Sequence, residues 1–151
     1  MPDRAEMIRE LLGRLENVLA ELVSLQADRQ RALARMDTAR LDEISHREMT
    51  LCHGLQGVAE ERLSLLDGES PATSLGESIA RLPLATRGEL ERRFERVSQL
   101  RQQVKEEATS NWLAAYRLGT HVESLLTLFV SQNGEESRST DASGGVLDSR
   151  F

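Results

Sequence analysis

The chain has 151 residues, a net charge of −6, one cysteine and only 3% aromatic residues. That length suffices for one domain with an adequate core. The acidic balance excludes nucleic acid as the principal ligand, lone Cys52 excludes an internal disulfide, and no run reaches the roughly 18 apolar residues of a membrane span. Charged residues make up 29%, and Leu, Ala, Glu and Arg dominate, a composition of long helices and coiled coils. All basic residues but Lys105 are arginine, which reads as compositional bias and not as a phosphate site. The opening MPDRAEMIRE has no apolar signal core, and a single cysteine suits a reducing compartment. The expected location is the cytoplasm.

The first element is a helix from about Pro2 to Met36. Ile8, Leu11, Leu12, Leu15, Val18, Leu19, Leu22 and Leu25, then Leu33 and Met36, recur at helical spacing, and Pro2-Asp3 suits a helix start. Asp37 and Thr38 offer a break or a re-capping point, so a tight turn and a kinked continuation both fit. A second helix follows over about 39–66, with Ile44, Leu51, Val58 and Leu65 seven apart and Leu41 and Leu55 beside them. Gly54 and Gly57 interrupt it, for close approach of a neighbouring helix or for a bend. LDGESPATS is a loop with a turn signal and a proline breaker. SLGESIARL predicts a short helix ending before Pro83.

The third long helix is expected from Thr86, as N-cap, to Gln132. Its seam has two rows: Leu90, Val97, Val104, Asn111, Leu118, Leu125, and Phe94, Arg101, Ala108, Ala115, Val122, Phe129. From Gly134 the composition turns to Gly, Ser, Glu and Asp, too poor in apolar surface to offset ordering entropy. The expectation is an all-α fold: an elongated antiparallel bundle of three long helices with one short connecting helix over 1–133, and a disordered tail over 134–151.

No catalytic constellation emerges. His46 and His53 lie two helical turns apart, about 10 Å, too far to share one small ion, and HREMT lacks the second histidine of a zinc-protease motif. His121 lies beside apolar residues, and a solvated surface histidine explains it. Adjacent carboxylates such as Glu60-Glu61 and Glu106-Glu107 point apart on a helix. Neither P-loop, GxGxxG nor GxSxG is present. The expectation is a binding protein without enzymatic activity, cofactor or metal.

One stretch stands out, NWLAAYRLGTHVESLLTLFVSQN at 111–133, which holds only two charges, Arg117 and Glu123, and three of the five aromatic residues. The two seam rows serve an intramolecular core, yet Leu113, Tyr116, Leu128 and Val130 lie off them. An apolar girdle wider than one seam marks a partner site or fuller burial in the bundle. Asn111 is an amide in a seam position, which costs stability and can fix register.

The Leu-rich first helix, the QRALARMDTARLDEIS stretch, SIARLP before a long final helix, and Asn111 followed by HVESLLTLF and a Gly/Ser-rich tail together resemble the FlgN family of flagellar type III export chaperones. The resemblance covers nearly the whole chain. It implies a chaperone for the hook–filament junction proteins FlgK and FlgL, whose C-terminal helical regions would dock on the final helix, and delivery to the export gate protein FlhA. The implied contact surface is Leu118, Val122, Leu125, Leu126, Phe129 and Val130, with Asn111 and Tyr116 as register or rim polar groups. Family tails often end in a Tyr-Asp pair followed by small and basic residues and a glycine. Here the matching positions are Leu147, Asp148, Ser149 and Arg150, then Phe151, so tyrosine and glycine are missing. A self-associating coiled-coil scaffold and a chaperone for another flagellar client fit the same stripes, and a homodimer stays open.

Overall fold

The computed structural model describes residues 3–65 and 74–132. Among these the regular structure is entirely helical: α1 (Arg4–Arg35), α2 (Thr38–Leu65), α3 (Leu75–Ala80) and α4 (Leu84–Gln132). The chain divides into two units between Ala115 and Tyr116, a point inside α4.

In the first unit, α1 ends where Met36 adopts the left-handed conformation (φ 53°, ψ 35°), its N–H bonded to the Leu33 carbonyl. The Asp37 side chain then accepts the Arg40 N–H at 3.0 Å and so caps α2. Of the two geometries that fitted residues 36–39, the chain takes the tight turn. Arg14–Glu61, Glu21–Arg47 and Arg29–Glu48 pair across the two helices, so α1 and α2 run antiparallel. Only glycine adopts a left-handed cap without steric cost. Met36→Gly is therefore expected to stabilise the fold by about 1 kcal/mol, read as a raised urea midpoint at unchanged slope.

Arg31 and Arg40 both reach Asp28 at this turn. The hydrogen bond from Arg31 is the main cause that holds the Asp28 carboxyl below its ordinary value of 3.8, helped by Arg40 and opposed by desolvation. A depressed carboxylate contributes stability that is complete above the unfolded value and lost as pH falls through the folded one. The Asp28 carboxyl carbon should therefore titrate by NMR with a midpoint below 3.8. Arg31→Ala should move that midpoint upward.

Helix α4 runs parallel to α1, because Arg9 pairs with Glu89 and Glu16 with Arg96. The core joins Ile8, Leu11, Leu12, Leu19 and Leu22 of α1, Leu51 and Val58 of α2, and Leu90 and Val97 of α4, and Phe94, Leu100 and Val104 pack against it. Ile44 is buried as well, so the sevenfold stripe of α2 holds to Val58. Short α3 inserts Leu75 and Ile79 into the same core. Its Ser74 hydroxyl accepts the Glu77 N–H at 3.2 Å, and the Arg87 guanidinium donates to the Ala80 carbonyl at 3.1 Å.

Two local expectations are corrected. Thr86 is not the N-cap of α4: the helix starts at Leu84, and the Pro83 carbonyl accepts from the N–H groups of Thr86 and Arg87. The Thr86 hydroxyl donates to that same carbonyl. A proline just before a helix has no N–H to leave orphaned, so the start moves ahead of the better-looking cap residue. Nor do Gly54 and Gly57 admit a neighbouring helix, since a Cβ built at either meets nothing within 4 Å. At Gly76 a Cβ would lie 3.5 Å from Phe94 Cε1. With open space and helical backbone, Gly54→Ala and Gly57→Ala should each stabilise by about 0.5–1 kcal/mol through helix propensity. Thermal unfolding of the double variant should show a higher Tm.

Candidate functional site

Asn111 is the last buried residue of α4 among the described side chains, at 6% exposure. Its amide donates to the Gln26 backbone carbonyl at 2.9 Å and to Gln26 Oε1 at 3.1 Å. The Gln26 amide in turn donates to Glu48, and so does the Arg29 guanidinium, whose Nη2 also lies 3.4 Å from Ser45 Oγ. Three helices thus meet in one polar layer. Arg29 Nε is buried there without a hydrogen-bond partner, a cost the apolar layers do not carry. Asn111 was expected as a register or rim group of a contact surface; its amide is bonded to Gln26 inside the first unit. Gln26, Arg29 and Glu48 were not singled out from the sequence. The signal for Gln26 and Arg29 is the gap the α1 stripe leaves between Leu25 and Leu33, and for Glu48 its place midway between Leu41 and Leu55 in α2.

From Tyr116 onward α4 carries large apolar side chains that are mostly exposed. Leu118, Val122, Leu125 and Phe129 follow spacings of four, three and four and so share one face. Leu118 is half-buried, whereas Tyr116, Val122, Leu125, Leu126 and Phe129 are 40% to 66% exposed. Leu126 lies about 70° round the helix from that face and Tyr116 about 150°, nearly opposite it. The first seam rows, expected to feed an intramolecular core throughout, therefore do so only up to Asn111. Leu128 is exposed too, as are Trp112 and Leu113 just before the unit boundary. Val130 lies in α4, but its side chain is outside the described residues, as are Leu147, Asp148, Arg150 and the whole tail.

The groups that could carry chemistry do not converge. His46 Nδ1 sits 2.8 Å from the Asp42 carbonyl oxygen at the surface, His53 and His121 are exposed, and Cys52 is an exposed free thiol. Among the described residues, no three metal-binding side chains come together, and no helix is long and apolar enough to cross a membrane.

The family model described as FlgN protein matches residues 1–142. The chain belongs to the FlgN family. No curated protein and no solved structure matches it. FlgN proteins are flagellar export chaperones.

Proposed function

We propose that this FlgN-family chain is a cytoplasmic export chaperone that receives the C-terminal helical regions of FlgK- and FlgL-like junction proteins and delivers them to the export gate protein FlhA. The exposed run from Trp112 to Phe129 supports this reading, because monomers seldom leave so many large apolar side chains contiguous in water. Tyr116, Leu118, Val122, Leu125, Leu126, Phe129 and Val130 form the contact surface, and an amphipathic client helix lays its apolar face along them. Each large side chain desolvated in this way contributes about 1.5–3 kcal/mol before the cost of ordering. The tail, with Leu147, Asp148 and Arg150, adds a further segment that contacts the client.

Titration of the full chain with the FlgK and FlgL C-terminal regions tests the proposal. The sole tryptophan, Trp112, stands at the start of the contact surface and reports binding through a blue-shifted emission, with saturation at 1:1. A folded chain that binds neither region and sediments as a large, concentration-dependent assembly would establish the scaffold reading instead.

A further inference from the structure

The apolar seam of α4 does not by itself say where α4 should sit. Leu90, Val97, Val104, Asn111, Leu118 and Leu125 repeat every seven residues, so a parallel partner sees nearly the same stripe after a shift of one heptad, about 10.5 Å. Only one member of the row is polar. It is also the one whose Nδ2 donates twice across to α1, to the backbone carbonyl and the side-chain oxygen of Gln26, itself 5% exposed and bonded on to Glu48.

We propose that the Asn111–Gln26 pair is the register lock of α4. It selects the seating in which Leu118, Val122, Leu125 and Phe129 remain available, against one a heptad along in which Leu118 would take the place of Asn111 beside Gln26. In the shifted seating Asn111 would move to the level of Val104, away from the Gln26 groups that satisfy it. Gln26 would face a leucine. The Asn111 amide would then lose both of its acceptors and Gln26 Oε1 its donor, while the Gln26 amide keeps Glu48, and these losses outweigh what an added apolar contact returns. The docked α3 holds the opposite end of the same helix through Leu75 and Ile79, but the apolar contacts there are non-directional, whereas the amide pair accepts one register only. The functional consequence rests on the reading of the exposed segment as a client surface; the register itself does not.

Cross-linking reads the register without any client. In a Cys52→Ser background, which removes the only native thiol, Glu16→Cys is combined with Arg96→Cys, its ion-pair partner, or with Gln103→Cys, seven residues further on. A short bismaleimide should join 16 to 96 and leave 16 and 103 unjoined. With Asn111→Leu, and more strongly with Gln26→Leu/Asn111→Leu, the 16–103 product should appear at the expense of 16–96, while helicity by circular dichroism is kept. The double variant leaves no unpaired amide, so it reports even where the single one folds poorly. A folded apolar variant that still joins only 16 to 96 would overturn the proposal, and so would a parent chain that joins both pairs. Client titration of the same variants is scored separately: loss of affinity together with the shifted cross-link ties register to function. A shifted cross-link in a chain that never bound client would retain the lock and remove the chaperone reading.

Discussion

Leu125→Asp/Phe129→Asp is expected to lower client affinity at least about 100-fold, or about 3 kcal/mol, while the unfolding midpoint moves little. The asymmetry follows from exposure. Phe129 is 66% exposed and Leu125 45%, so the free protein loses little packing when they become carboxylates, and exposed substitutions away from special features change stability by about 0.5 kcal/mol or less. A docked client helix, in contrast, would have to desolvate two unpaired charges against apolar side chains. Calorimetric titration measures the first number and urea unfolding the second. A large drop in stability with the affinity loss would assign both residues to the folding core. Unchanged affinity would move the client elsewhere on the molecule.

Leu12→Ala should have the opposite profile. Leu12 is fully buried in the cluster that α1 shares with α2, α3 and α4. Truncation removes the transfer energy of the lost carbons and leaves a cavity, with an expected cost of about 2–5 kcal/mol. Domains of this size are stable by only about 5–15 kcal/mol, so the midpoint should fall steeply. Leu63→Ala, at a position 70% exposed on α2, serves as the control and should change little. A cost below about 1 kcal/mol at Leu12 would mean that the site collapses around the smaller side chain.

The contrast between these variants shows what was legible in the sequence. Helical spacing in α1 and sevenfold spacing in α2 identified the large buried residues Ile8, Leu11, Leu12, Leu19, Leu22, Ile44, Leu51 and Val58, because such a stripe has few alternatives to burial along one helix face. Ala5, Gln26 and Ala32, also buried, were not named. Helix ends were legible where side chain and backbone agree, as at Ser74, and illegible at Thr86, where the preceding proline carbonyl does the capping. The glycines of α2 looked like packing sites because sequence records the missing Cβ and not the empty space beside it. The polar layer stayed hidden for a related reason: Gln26, Glu48 and Asn111 are 22 and 85 residues from one another along the bonded pairs, and nothing local pairs an amide with a distant amide. The apolar rows of α4 were legible as apolar, but their change from buried to exposed after Asn111 was not. Spacing gives a face, and only the structure says whether that face has a neighbour.

The central claim is that the client covers α4 from Trp112 to Phe129. Hydroxyl-radical footprinting of the full chain, with and without a saturating FlgK C-terminal region, tests it most directly. The account predicts that Trp112, Tyr116, Leu125, Leu126 and Phe129 become protected together, while exposed Met49 and Leu63 of α2 keep their reactivity. Protection of Met49 and Leu63 with the α4 residues still reactive would contradict it.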